Sequence, residues 1–234
     1  MADSIKALFF DVFGTLVDWR TSIAREAQAT LEPLHISLDW LAFADAWRLE
    51  YQPAMEEVRG GRIAYSKLDV LHRQMLEKIL PRFGLQALAD HALTELTLAW
   101  HRLDAWPDVQ SGLARLRKRY LIAPVSNGNI ALMADLARRN EIHWDAILGA
   151  EIAKGFKPQP AVYLAAADAF NLEPAQCLMC AAHAGDLKAA AACGLRVAYI
   201  VRAQESPSAS AAAPSMPLDM FVRDTVDLAE RLGA

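Results

Sequence analysis

The chain has 234 residues, enough to bury a substantial core in one large domain or two modest ones. Hydrophobic residues make up 54% and charged residues 22%, which excludes a disordered chain. The formal net charge is -4 with both signs interspersed, so no electrostatic footprint for nucleic acid is present.

No apolar run is long enough to span a membrane, and the first residues lack the basic-then-apolar layout of a signal peptide. Three cysteines, Cys177, Cys180 and Cys193, are an odd set. Cys177 and Cys180 have redox or zinc spacing, but no second pair accompanies them, and they read as buried thiols of a strand. A reducing, cytoplasmic setting is expected.

Residues 5–12 form a short apolar run that ends at Gly14 and Thr15, the pattern of a buried parallel strand. From about 19 to 102 the apolar spacing becomes helical, with breaks near Pro33, at Gly60-Gly61 and around 81–84. About four helices are predicted there, with no strand among them. From Trp106-Pro107 onward, helices and strands alternate. Helices are expected at 109–118, 130–139, from Pro160, at 185–193 and at 225–231. Strands are expected at 120–125, 146–148, 177–181, 196–201 and 220–222. Alternation of this kind implies a doubly wound parallel α/β sheet. The Ser/Ala/Pro-rich stretch 204–217 reads as a mobile surface loop. Residues 1–16 and 103–234 would form the α/β core domain, and 17–102 an inserted helical cap.

Ligands of open parallel sheets bind outside the carboxyl ends of the strands. Four polar clusters follow four predicted strands: Asp11 with Gly14 and Thr15; Ser126-Asn127-Gly128-Asn129; Lys157; and His183 with Asp186. Each alone is an ordinary turn or cap. Together, in this order, they form one candidate crevice.

This combination resembles the haloacid dehalogenase superfamily over nearly the whole chain. Phe10-Asp11-Val12-Phe13-Gly14-Thr15-Leu16 looks like its first motif, whose opening Asp is the nucleophile. Val125-Ser126-Asn127-Gly128 matches the second, Lys157-Pro158 the third, and the segment ending in Asp186 the fourth. Most members are magnesium-dependent phosphatases with Asp-x-Asp in the first motif and paired acids in the fourth. Here Phe13 replaces the second Asp, and Ala182 stands four residues before Asp186. Those carboxylates are what Mg²⁺ and a leaving alcohol require.

The sequence is instead similar to the (S)-2-haloacid dehalogenases, which carry an aromatic residue at that position. The resemblance implies covalent catalysis: Asp11 displaces halide, and water then hydrolyses the aspartyl ester. It implies no metal, no cofactor, a small 2-haloacid as partner and, as in similar enzymes, a homodimer. Lys157 would keep Asp11 ionised and Thr15 would bind its oxygen. Ser126 and Asn127, with Val12 and Phe13, would contact substrate, and Asp186 would orient Lys157. Arg48 on a cap helix matches the arginine facing the halogen, and Tyr163 a family tyrosine. Where relatives have Ser-x-Asn before the last Asp, this chain has Ala181-Ala182-His183. His183 would replace the Asn as a hydrogen-bond partner or as a base of near-neutral pKa. Trp19, Trp40 and Trp47 are candidates to shape an apolar pocket. A phosphatase or phosphonatase with unusual ligation, or an idle scaffold, are the alternatives.

Overall fold

A computed structural model describes residues 4–205 and 212–234. Of the stretch read as a surface loop, 206–211 therefore lie outside the described residues.

The first strand, β1 (Ala7–Phe10), is buried at every position. Alternate side chains point to opposite faces of a strand. Leu8 and Phe10 thus join one apolar core, Ala7 and Phe9 the other. A two-residue strand β2 (Val17–Asp18) leads into five cap helices. These are α1 (Trp19–Leu31), α2 (Trp40–Leu49), α3 (Tyr51–Arg59), α4 (Leu68–Ile79) and α5 (Asp90–Leu98). The expectation of about four helices is corrected here, because Glu50 divides what reads as one periodic segment into α2 and α3. Pro53, in the first turn of α3, marks that break. The chain returns through a 3₁₀ turn, Ala99–Arg102, to β3 (Asp104–Ala105), which pairs antiparallel with β2.

Then come α6 (Val109–Leu116), β4 (Leu121–Ser126), α7 (Ile130–Arg139), β5 (Leu148–Gly149) and the short α8 (Ala150–Ala153). These are followed by α9 (Pro160–Ala169), β6 (Cys177–Ala181), α10 (Ala184–Ala192) and β7 (Arg196–Ile200). The last elements are β8 (Met220–Val222) and α11 (Thr225–Arg231). The six long-range strands pair in parallel in the order β5-β4-β1-β6-β7-β8. Helices cover both faces: Val109, Leu132 and Leu228 pack on one core, Val162, Tyr163 and Leu187 on the other. The doubly wound sheet with an inserted helical cap is thus observed. Since β1 is flanked by β4 and β6 and the chain moves first one way and then the other, the switch point lies at its carboxyl end.

Cap and core are also joined by a partly buried polar clamp. His101 on the return segment bonds Asp135 of α7 at 2.8 Å and Asp69 of α4 at 3.1 Å. Asn129 adds a donor to Asp69 at 2.8 Å. Burial lowers the His101 pKa, but the hydrogen bonds to the two carboxylates raise it further, so the net shift is upward. A raised histidine pKa contributes stability that is full below the unfolded value and lost as pH rises through the folded one. His101→Gln is expected to cost about 1 kcal/mol, or roughly 2–4 °C in Tm, at pH 6, since Asp135 is half exposed. Thermal melts of both proteins across pH 6 to 9 should show that gap closing as the pH rises.

Candidate active site

Asp11 leaves the sheet where β1 ends, its N–H still bonded to the Cys180 carbonyl at 3.0 Å. The turn that follows passes through Gly14 at φ +83°, a left-handed conformation that favours glycine. It brings Thr15 back beside the carboxylate. Thr15 Oγ1 accepts the Ala182 N–H at 2.9 Å, so its own proton is free to be donated to Asp11 Oδ2 at 2.8 Å.

The next strand end, after β4, supplies Asn127. Its Oδ1 accepts the Lys157 backbone N–H at 2.8 Å and so fixes the lysine loop. Lys157 Nζ then donates to Asp11 Oδ1 at 2.7 Å and to Asp186 Oδ2 at 2.5 Å. Tyr163, from the first turns of α9, donates to the other Asp186 oxygen at 2.6 Å. His183, just before α10, completes the ring, with Nδ1 3.0 Å from Asp11 Oδ2.

Burial alone would push the Asp11 carboxyl up. Lys157 and His183 beside it outweigh that and hold it well below the usual carboxylate range. Lys157 is likewise penalised by burial, yet Asp11 and Asp186 raise it, so the ammonium stays charged. Asp186 is raised, first by burial and then by the charge of Asp11, against the pull of Lys157. His183 loses from burial and gains more from Asp11 and Glu205, which leaves it pushed up to about 10. The near-neutral value expected from the sequence is therefore corrected: two carboxylates hold the imidazole as a cation.

A cavity of about 310 Å³ opens over this cluster, walled by Asp11, Asn127, Lys157 and His183 below and by Phe13, Arg48, Tyr51 and Arg59 around it. Arg48 rests on the Tyr51 ring at 4.2 Å and on Trp19 at 5.4 Å. Its Nη1 is buried and has no hydrogen-bond partner among the described residues, and Arg48 borders the cavity.

Several expectations need adjustment. Ser126 is fully buried, and its hydroxyl accepts the Gly128 N–H at 3.1 Å. It shapes the turn, while Asn127 reaches the cavity. Val12, Trp19 and Trp47 are buried outside the cavity wall, and Trp40, partly buried, is also not part of it. Trp47 donates to the His72 carbonyl at 3.1 Å and stands edge-on to Trp100, an ordinary packing role. Cys177 and Cys180 are buried and unpaired in β6, with burial pushing the Cys177 thiol up to about 12.

Sequence reading passed over Glu205, Gln52 and Arg59. Arg59 Nη1 donates to the Lys157 carbonyl at 2.9 Å, linking cap to lysine loop. Its helical spacing from Arg48 and Gln52 was the available signal. Glu205 follows β7, so the same strand-end rule would have reached it.

A helical cap over a parallel sheet, with a lysine-held aspartate at the central strand end, defines a class of hydrolases. The family model for haloacid dehalogenase-like hydrolases matches residues 5–194. The chain belongs to that family. Among solved structures it resembles a defluorinating L-2-haloacid dehalogenase with a TM-score of 0.95 and 40% identity, covering 98% of this chain and 96% of that one. Another L-2-haloacid dehalogenase gives 0.93 and 43% identity, covering 98% and 99% of the two chains. The (S)-2-haloacid dehalogenase 1 of Pseudomonas sp. (strain CBS-3) is 29% identical over 86% of this chain and 86% of its own.

Proposed function

We propose that this protein hydrolyses short (S)-2-haloacids to (R)-2-hydroxyacids and halide, through an ester on Asp11 and without a metal ion. The observation that carries the reading is the set of groups around Asp11: Lys157 Nζ lies 2.7 Å from it and 2.5 Å from Asp186, while Phe13 and Ala182 add no carboxylate. A phosphatase of this fold would need further acids beside Asp11 and Asp186 to hold a divalent cation, and Phe13 and Ala182 stand in those places. Mg²⁺ takes several hard oxygen ligands, and two carboxylates already bridged by an ammonium do not suit it. Among the described residues no group of three or more His, Cys, Asp or Glu side chains is arranged to hold a metal.

The chemistry follows from the groups around the carboxylate. Asp11 Oδ1 or Oδ2 attacks the carbon bearing the halogen from the face opposite the leaving group, which inverts that centre. The pair of electrons in the carbon–halogen bond departs with the halide. Halide is a stable anion, so Phe13 in place of a general acid costs this step nothing. Arg48, with an unpartnered Nη1, is suited to receive the departing charge. Asn127, Lys157 and the cap residue Arg59 offer donors for the substrate carboxylate. Thr15 and Lys157, bonded to the two Asp11 oxygens, would steady the oxyanion formed when water attacks the ester carbonyl. The cavity lies at the small end of ligand sites, which favours short acids.

We read 17–102 as the cap unit and 1–16 with 103–234 as the core, hinged at the β2–β3 ribbon. No helix among the described residues is long and apolar enough to cross a membrane. The unpaired cysteines support a cytoplasmic setting.

Incubation with (S)-2-chloropropionate and excess chelator tests the reading. Chloride release should continue within about twofold of the untreated rate, since metal removal would cost a metal-dependent enzyme far more. Activity that vanishes with chelator and returns with Mg²⁺ would refute it.

A further inference from the structure

We infer that Glu205 is a positioning residue for ester hydrolysis, holding His183 so that its Nδ1 faces the Asp11 carboxyl group that water must attack. The inference rests on the dehalogenase reading above. His183 Nε2 lies 3.1 Å from both Glu205 oxygens, while Nδ1 lies 3.0 Å from Asp11 Oδ2. A ring with one nitrogen committed to a carboxylate presents the other in a fixed direction. Glu205, His183 and Asp11 are thus a chain of three.

Glu205 is held there by contacts from separate elements. Trp19 Nε1 of the cap donates to its Oε1 at 3.1 Å. Gly14 leaves the space its side chain occupies, for a Cβ at that position would overlap the Glu205 carboxylate. The loop carrying it is pinned at Arg202, whose Nε donates to the Thr15 carbonyl at 2.8 Å and whose fork grips Asp108 through two bonds of 2.7 Å. The Glu205 side chain is only 12% exposed. Burying a carboxylate is costly unless it is paired, and the polar partners drawn to this one are His183 and Trp19.

The geometry also gives the histidine a reason to change protonation during turnover. In the resting site two carboxylates, Asp11 and Glu205, face the imidazole, with Lys157 and Arg48 at one remove, and they keep it charged. Esterification turns Asp11 into a neutral group. His183 then has one anionic partner instead of two and releases its Nδ1 proton to solvent. The freed lone pair takes a proton from water as the water oxygen bonds to the ester carbonyl carbon. The tetrahedral adduct breaks its bond to the substrate oxygen, which leaves as the hydroxyl after taking that proton from His183. The remaining carboxylic proton of Asp11 passes to His183 and restores the resting pair. One proton is released overall, as hydrolysis of a haloacid demands. Glu205 keeps Nε2–H in place throughout.

Rapid-quench chloride measurement with (S)-2-chloropropionate, together with intact-protein mass, separates the two half-reactions in Glu205→Gln. The expected result is a burst of about one chloride per site near the wild-type rate, then steady turnover lowered on the order of 10²-fold. The variant should accumulate the mass of an ester adduct, and Glu205→Asp should recover part of the turnover. Normal steady turnover in Glu205→Gln, or a burst that falls in step with turnover and leaves no adduct, would overturn the inference while leaving the dehalogenase reading intact. If Glu205→Gln does not fold, the same readouts on Glu205→Asp decide it, with slowed turnover behind an intact burst the supporting pattern. Wild-type protein that releases no chloride would remove the dehalogenase reading, and this inference with it.

Discussion

Asp11→Asn is expected to lose halide release from (S)-2-chloropropionate by on the order of 10⁴-fold or more, the loss seen when a covalent nucleophile is removed. The amide lacks the charge that attacks carbon, yet it nearly preserves shape. Lys157 Nζ, 2.7 Å from one carboxylate oxygen, can still meet the amide oxygen placed there, and the amide NH2 in the other position can donate to Thr15 Oγ1, so the fold should persist. Intact mass after incubation with substrate should show no adduct on the variant. A companion Asp11→Ala protein guards against slow deamidation of the new Asn. Sustained chloride release from the Ala variant would mean that another group attacks the substrate, and the ester mechanism would fall.

Lys157→Met is the second large effect. The lysine is buried and lies between two carboxylates, so its loss leaves Asp186 without a cation and Asp11 with His183 alone. Removing one member of a buried ionic cluster costs about 3–5 kcal/mol, most of it from the charge left behind. Halide release should drop on the order of 10²-fold or more, because the oxyanion also loses a donor.

The sign of the pH dependence can be worked out. In the wild type Asp11 titrates below its ordinary value, so its contribution is present above the unfolded pKa and lost as pH falls through the folded one. In the variant the like charge raises one of the two carboxyls, and protonating it relieves the repulsion. The stability deficit should therefore be widest at neutral pH and narrow on acidification. Denaturant titrations of both proteins at pH 7.5 and pH 5 read this directly, and a deficit that stays constant would argue that the cluster is not charged as described.

The features legible in the sequence were those set by local periodicity. A buried run such as residues 7–10 and the strand-end polar residues Asp11, Asn127, Lys157 and His183 follow from hydrophobic pattern and sheet geometry. The division between α2 and α3 at Glu50 was marked only by Pro53 and was passed over because the apolar spacing continues across it. Ser126 and Asn127 are adjacent and equally polar, and only the direction of the backbone turn decides that Asn127 reaches the cavity. The charge on His183 was hidden for a different reason. It depends on Glu205, 22 positions along the chain and in a segment with no regular structure of its own. Folding brings the two together, and only the place of Glu205 beyond the end of β7 pointed to it.

The order β5-β4-β1-β6-β7-β8 has an evolutionary corollary. Asp11, Asn127, His183 and Glu205 each hang from a separate strand, and Lys157 sits on a loop of its own. One reagent can thus be exchanged while its neighbours keep their places. On the proposed mechanism, the Ala181-Ala182-His183 segment, with its carboxylate partner beyond the end of β7, is such a swap in the water-handling position. A descendant lineage could retune how the acyl adduct is cleared without disturbing how the carbon–halogen bond is broken.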